Sequence, residues 1–135
     1  MILIACVDDN MGMTFNHRRQ SRDAVLCRDM LALVQDRPLR IHPYSALLFP
    51  DAPENVIAEE DYLDKAETDD FCFVERENVS DFSDQIHTIL LYHWQRTYPS
   101  DTRFPLDLSG YRKTETVTFE GKSHPEIVRE VWKKQ

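Results

Sequence analysis

The chain has 135 residues, of which 41% are hydrophobic and 30% charged, and its formal net charge is −8. This size and balance predict a single globular domain, 1–135, and exclude a disordered chain. No apolar run approaches the ~20 residues of a membrane span, and the acidic charge opposes binding to a nucleic-acid backbone.

The three cysteines, Cys6, Cys27 and Cys72, are odd in number and lie in apolar surroundings. Such spacing is typical of reduced, buried thiols in a cytoplasmic protein. The opening residues MILIACV run directly into two aspartates without a basic leader, so they indicate a core strand and not a signal peptide. We expect a cytoplasmic protein with no membrane partner, and the sequence leaves a homo-oligomer open.

The predicted elements follow the order of an α/β domain. Apolar or alternating runs predict strands at 1–7, 39–41, 55–58, 71–74, 87–94 and 111–119. Amphipathic or proline-bounded segments predict helices at 21–37, 44–49, 59–66 and 80–85. Continuous apolar strands are typical of a parallel sheet covered on both faces. We therefore expect a three-layer α/β/α domain with a mixed, mostly parallel sheet.

The end of the chain is compatible with two structures. Residues 123–133 begin with SHPE, which resembles a helix start, and Ile127/Val131 and Val128/Trp132 form i, i+4 pairs. The return strand of a hairpin would also fit these residues. The paired spacing favours a helix.

The first thirty residues contain the pattern in which α/β proteins place ligands: a strand, a loop and the start of a helix. The loop spans residues 8–20, and its Gly12 suggests a position that needs positive φ or a close approach. Ser21 is the predicted N-cap of the helix. The loop and helix carry several arginines on an otherwise acidic chain, which suits a small anionic ligand better than a long duplex.

Asp23, with Arg19 and Arg22 beside it, is the first candidate for a binding or catalytic site. A carboxylate in the first helical turn beside a pocket can accept hydrogen bonds from an amidine-like ring edge, as in pterin or guanine recognition. The alternative is that Asp23 only complements the helix dipole.

The loop sequence NHRRQ is the second candidate. Asn16, Arg18 and Arg19 are suited to hold a phosphate or a carboxylate. His17 is a candidate general acid or base for phosphodiester cleavage, although the sequence reveals no second catalytic group. The alternative is a solvated surface loop.

Asp8 and Asp9 follow the first strand at its carboxyl end, where paired carboxylates can bind Mg²⁺. Carboxylates in this position more often cap a loop through Asx-type hydrogen bonds, and we favour that interpretation. We expect no metal site.

Three stretches, in order along the chain, resemble dihydrofolate reductase. LIACVDDNMGM is similar to that family's opening strand and flexible loop, FCFVERENVSDFSDQIHTILLYHW to its strand, short helix and strand, and YPSDTRFP to its aspartate-threonine-x-phenylalanine-proline segment. Asp23, eleven residues beyond Gly12, lies close to where the family carries the acidic residue that grips the pterin. The resemblance implies a dihydrofolate reductase-like fold with a substrate pocket beside residues 10–23.

The resemblance also implies a reduced nicotinamide cofactor, which the family holds on glycine-rich turns after two strands. Backbone N–H groups approach a phosphate closely only where no side chain intervenes. Here the turn after FCFV is EREN (75–78) and the turn after LRI is HPYS (42–45), and neither has a glycine, although Ser45 lies near the position of the family's phosphate-binding threonine. The chain is also shorter than the family by about a strand and its loops. Because acidic side chains repel a pyrophosphate, we expect no NADPH cofactor and no active reductase.

Our first functional hypothesis is a dihydrofolate reductase-like domain that binds a small heterocyclic or anionic ligand, nucleotide-like or pterin-like, near residues 10–23. One alternative is an enzyme, either a diverged reductase or an RNA-processing ribonuclease that uses His17 and the Arg18/Arg19 loop. A zinc ribonuclease of the metallo-β-lactamase type is not indicated, because it needs a His-x-His-x-Asp-His cluster and the five histidines here are isolated. Another alternative is an oligomeric interaction module without a small-molecule site.

Overall fold

The computed structural model describes all 135 residues. The strands are β1 (Ile2–Val7), β2 (Gly12–Phe15), β3 (Arg18–Arg19), β4 (Leu39–Ile41), β5 (Val56–Ala58), β6 (Phe71–Phe73), β7 (Thr88–His93), β8 (Thr102–Arg103), β9 (Tyr111–Phe119) and β10 (Ile127–Lys134). The α-helices are α1 (Ala24–Val34) and α2 (Tyr62–Lys65), and 3₁₀ segments cover Pro43–Leu48, Ser80–Gln85 and Leu108–Gly110. No helix has the length and apolar character that crossing a bilayer needs.

Seven strands form one sheet in the order β5-β4-β6-β1-β7-β10-β9. The first five strands run parallel, and β10 and β9 extend the sheet in antiparallel fashion. The central strands β1 and β6 are almost entirely apolar because both of their faces are covered. The predicted mixed, mostly parallel sheet is confirmed.

Helices cover both faces of this sheet. Successive residues of a strand point to opposite faces, so Ile4 and Leu3 of β1 belong to two different hydrophobic clusters. Leu26 and Met30 of α1 pack into the cluster on one side, and Tyr62 of α2 packs into the cluster on the other. Full burial of side chains of this size stabilises the fold by about 1.5–3 kcal/mol each. The predicted three-layer α/β/α architecture is confirmed.

Most of the segment predicted as a loop between β1 and α1 is instead a β-hairpin. β2 pairs with β3 on one side and with β8 on the other, which makes a small second sheet. Asn16 and His17 form its two-residue turn with φ values of 52° and 60°, which is the backbone of a tight hairpin turn. Gly12 has no positive φ, but a Cβ there would lie 2.7 Å from Ser100 Cβ, so the close-approach interpretation is correct.

The predicted helix start is wrong by two residues. Asp23, and not Ser21, is the N-cap of α1, and its side chain accepts hydrogen bonds from the N–H groups of Val25 and Leu26. Both residue types are good N-caps, and Asp23 is selected because its carboxylate also bonds a distant loop.

The predicted helix at the end of the chain is wrong, because those residues form β10. The i, i+4 spacing that favoured a helix also places residues on one face of a strand, since four is a multiple of the strand period of two. β10 lies between β7 and β9 and completes both ladders. Arg129 of β10 also donates to both carboxylate oxygens of Asp29 on α1, at 2.7 and 2.6 Å.

Candidate functional site

A cleft opens at the carboxyl ends of β1, β6 and β7, between the start of α1 and the β2–β3 hairpin. Its empty volume is about 400 Å³ including the open mouth, and the interior admits little more than water. The apolar walls are formed by Cys6, Met13, Leu26, Cys27, Leu48, Phe73, Val74 and Trp94, and the polar side chains are Arg19, Gln20, Ser21, Arg22, Asp23 and Glu75. Ligand sites of α/β proteins lie at this edge of the sheet.

A nearly buried ion pair spans one end of the cleft. Arg19 Nε and Nη2 donate to the two carboxylate oxygens of Glu75 at 2.7 and 2.9 Å, and the side chains are 20% and 8% exposed. Ser45 Oγ donates a third hydrogen bond to Glu75 at 2.7 Å. The hydrogen bond to Glu75 raises the pKa of Arg19 above its ordinary value. The carboxylate after β6 is therefore neutralised within the chain.

Tyr44 extends this network toward the turn after β4. The Arg19 guanidinium lies 4.3 Å from the centre of the Tyr44 ring, and the Arg76 guanidinium lies 3.7 Å from it. The Tyr44 hydroxyl also accepts from the Arg19 backbone N–H at 3.0 Å. The turns after β4 and β6 are thus joined by side chains that occupy the space above both strand ends.

The Asp23 carboxylate has no exposed surface and is surrounded by donors. Besides capping α1, it accepts from the N–H groups of Lys122 and Ser123 at 2.9 and 2.8 Å, and from Nδ1 of His124 at 3.0 Å. Burial acts to raise the pKa of Asp23, but the hydrogen bonds from Lys122 and His124 outweigh it and hold the pKa well below its ordinary value. Asp23 is therefore a structural tie between α1 and the loop before β10. Both of its carboxylate oxygens already accept hydrogen bonds from the chain.

His124 was not among the predicted site residues, and it lies at the centre of this region. Its ring stacks on Trp94, with ring centres 4.6 Å apart, and its Nε2 lies 3.1 Å from Ser21 Oγ and 3.0 Å from the Tyr98 hydroxyl. It is separated from Asp23 by 101 residues. No local pattern in the sequence could have indicated that contact.

The structure brings together only some of the predicted ligand-binding residues. Arg19, Arg22 and Asp23 line the cleft, and Arg22 is exposed there without pairing to any carboxylate of the chain. Asn16 and His17 lie in the hairpin turn outside the cleft lining. Whether any of these residues binds a ligand stays a prediction.

His17 and Arg18 are exposed on the hairpin. His17 forms no hydrogen bond or ion pair within the chain, and the nearby Asp101 carboxylate accepts from the Asn16 backbone N–H and not from the His17 ring. The structure therefore gives no support to the ribonuclease alternative, because general acid–base cleavage of a phosphodiester needs a second catalytic group in a fixed position.

Asp8 closes the end of β1 by hydrogen bonds. One of its oxygens accepts from the N–H groups of Asn10 and Gly12 at 2.9 and 2.8 Å, which is the Asx-type arrangement favoured from the sequence. No cluster of three or more His, Cys, Asp or Glu residues is arranged to hold a metal ion. Burial raises the pKa of Cys27 to about 11, so this thiol in the cleft wall stays protonated near neutral pH.

No protein-family model matches the sequence, and no curated protein is matched by it. Among solved structures, dihydrofolate reductase from Enterococcus faecalis, complexed with NADP(H) and RAB-propyl, superimposes with a TM-score of 0.68 over 99% of this chain and 95% of that chain, at 12% sequence identity. The fold is dihydrofolate reductase-like. The resemblance inferred from three short stretches is thereby confirmed at the level of the fold.

The dihydrofolate reductase-like sheet contains β4 and β6, and neither of the turns that follow these strands has a glycine. Side chains join the two turns, since Glu75 after β6 accepts from Ser45 after β4 and from Arg19 of the hairpin.

Proposed function

We propose that this protein binds a small heterocyclic or anionic molecule at the open mouth of the cleft and does not act as an NADPH-dependent reductase. The observation that carries the proposal is the combination, in one concave site, of apolar and aromatic walls with an unpaired cation, Arg22. Sites for small molecules typically have mostly apolar walls and a few convergent polar groups.

The start of α1 adds to the attraction for an anion. The backbone N–H groups of Arg22, Asp23 and Ala24 form no hydrogen bond within the chain, and they lie at the positive end of an 11-residue helix. Free N–H groups and the helix dipole together favour a carboxylate or phosphate at this place. Leu48, which is half-buried in the cleft wall, offers apolar surface to the ligand.

The side chains after β4 and β6 support the second half of the proposal. A pyrophosphate between these turns would meet the Glu75 carboxylate and would have to displace the Arg19 and Ser45 donors from it. Removing donors from a nearly buried carboxylate is costly, since a lost hydrogen bond to a charged group costs about 1.5–3 kcal/mol. These residues do not fit the cofactor of a reductase.

A thermal-shift screen tests the proposal with folate, a pterin, nucleoside monophosphates and NADPH as probes. A ligand at 100 times its dissociation constant stabilises by about 2.7 kcal/mol, which for a chain of this size raises the melting temperature by about 8–10 °C. We expect a rise with at least one folate, pterin or nucleotide and none with NADPH. Oxidation of NADPH in the presence of dihydrofolate would overturn the proposal, as would a flat response to every probe.

The variant Arg22→Ala tests whether the ligand binds at the cleft, and Arg28→Ala is its matched control. Both arginines are exposed on or beside α1, but only Arg22 lines the cleft. We expect Arg22→Ala to reduce the ligand-induced rise by more than half and Arg28→Ala to leave it unchanged. An equal loss in both variants would show a general charge effect and not a site.

A further inference from the structure

Three side chains from separate parts of the chain form a connected line behind the cleft. Asp23 Oδ2 lies 3.0 Å from His124 Nδ1, and His124 Nε2 lies 3.1 Å from Ser21 Oγ. The Asp23 and His124 side chains are 0% and 2% exposed, whereas Ser21 is half-buried and lines the cleft. The order of groups is carboxylate, imidazole and hydroxyl, with the hydroxyl at the accessible end.

The buried carboxylate determines which nitrogen of His124 carries the proton. Asp23 accepts from Nδ1, so Nδ1 is the protonated nitrogen and Nε2 presents its lone pair. That lone pair faces the hydroxyls of Ser21 and Tyr98, and the Trp94 ring stacked on the imidazole restricts its rotation. Ser21 is therefore one of the two hydroxyls placed to donate a proton to His124 Nε2, and Tyr98 is the other.

Backbone N–H groups without an acceptor follow Ser21 in the sequence. The N–H groups of Arg22, Asp23 and Ala24 have no acceptor in the chain, and the first of them belongs to the residue directly after Ser21. Acyl-transfer sites use backbone N–H groups in this way to hold the negative oxygen of the tetrahedral intermediate. Arg22 also places a cation at the mouth of the same cleft.

We propose that Ser21, His124 and Asp23 form an acyl-transfer site that hydrolyses small esters. Ser21 Oγ bonds to the acyl carbon while its proton passes to His124 Nε2, and the C–O bond to the leaving alcohol then breaks as His124 returns that proton to the alcohol. Water, deprotonated by His124, then attacks the acyl-serine, and the proton passes to Ser21 as the acid leaves. Asp23 is the positioning residue.

The walls of the cleft indicate the class of ester. The apolar interior admits little more than water, so an acyl group at Ser21 would be small and apolar, and an anionic end of the substrate would face Arg22 at the mouth. This inference rests on the cleft being a ligand site, as proposed above, and adds a reaction to it. The alternative is that the same hydrogen bonds only hold the loop before β10 in place.

Labelling with a fluorophosphonate distinguishes a reactive serine from a structural one. The reagent forms an Oγ–P bond while the P–F bond breaks, and the serine proton passes to His124, so a labelled chain gains a defined mass. We expect one label per chain, located on Ser21 by peptide mapping, and p-nitrophenyl acetate hydrolysis that falls at least 100-fold in Ser21→Ala. Ser80→Ala is the matched control, because Ser80 is exposed and outside the cleft, and it should retain labelling and hydrolysis.

His124→Gln tests the base, and its melting temperature is measured first because this residue is buried. A folded His124→Gln variant should lose labelling at Ser21, and Ser21→Ala itself should melt within about 2 °C of wild type, since it removes one partly exposed hydroxyl. Wild-type protein that takes no label on Ser21, or that hydrolyses the ester no faster than Ser21→Ala, overturns the inference. A ligand-induced thermal shift that persists in Ser21→Ala would then leave the binding site standing without the reaction.

Discussion

Replacing Arg19 by methionine leaves the nearly buried Glu75 carboxylate without its cation. The two side chains are joined by two hydrogen bonds of 2.7 and 2.9 Å at one end of the cleft. Methionine retains much of the apolar stem of arginine but offers no donor. The change therefore tests whether the ion pair stabilises the hairpin against the sheet.

The expected cost follows from the surroundings of the pair. Removing one partner of a buried ion pair typically costs about 3–5 kcal/mol. Arg19 is 20% exposed, so water reaches Glu75 in part, and Ser45 Oγ still donates at 2.7 Å. We expect a loss of about 2–3 kcal/mol, equivalent to a fall in melting temperature of about 7–10 °C for a domain of this length.

Urea denaturation measures this loss, and a double-mutant cycle separates the pair from the rest of the site. Glu75→Gln and the double variant Arg19→Met/Glu75→Gln complete the cycle, and we expect a coupling energy of about 1–2 kcal/mol with an unchanged m-value. Lys65→Met, which breaks the exposed pair with Glu59, should cause no measurable loss. An Arg19→Met variant as stable as wild type, or a cycle whose single effects add, would refute the reasoning.

Three further predictions concern the core and the Asp23 tie. Gly121→Ala places a Cβ 2.6 Å from Asp23 Oδ2 and should cost about 1–3 kcal/mol in urea denaturation, whereas Gly110→Ala, with no atom within 4 Å of the new Cβ, should not. Because the folded pKa of Asp23 is lowered, its stabilisation is present above its ordinary pKa near 3.8 and is lost as pH falls further. The melting temperature should therefore drop steeply below pH 4 in wild type and less steeply in Asp23→Asn, and parallel curves would contradict this. Met30→Ala should cost about 2–5 kcal/mol, and Leu47→Ala, at an 82% exposed position, should cost little, so equal losses would contradict the assignment of the core.

The sheet could be predicted because the sequences of its central strands indicate their structure without reference to distant residues. MILIACV and FCFV are continuously apolar, and this pattern has few solutions other than a central parallel strand. The order of strands and helices then limits the topology, since consecutive parallel strands need crossovers. The same local signals placed Arg19, Arg22 and Asp23 at one end of the sheet, where the cleft lies.

The errors share a physical cause, which is that distant contacts decide between local alternatives. Residues 127–134 pair with β7 and β9, and an i, i+4 pattern alone does not distinguish this strand from a helix. Asp23 displaces Ser21 as the helix cap because its carboxylate also bonds Lys122 and Ser123, about 100 residues away. His124 was not predicted as a site residue for the same reason. It is isolated in the sequence, and its contacts come from residues that the fold places beside it.

The charges in the cleft also restrict how a ligand lies in it. Arg19 was one of the arginines predicted to bind a ligand, but its guanidinium is paired with Glu75, so that pair presents no net positive charge to the cleft. Of the two arginines that line the cleft, Arg22 is the one without a carboxylate partner, and it lies at the α1 end beside the free N–H groups. An anionic group should therefore bind at the α1 end, and the neutral part of the ligand should extend toward Phe73 and Glu75. A ligand with a second charged group would place that group near the β6 end and would need to break the Arg19–Glu75 pair. The loss of stability expected for Arg19→Met indicates that breaking this pair is unfavourable.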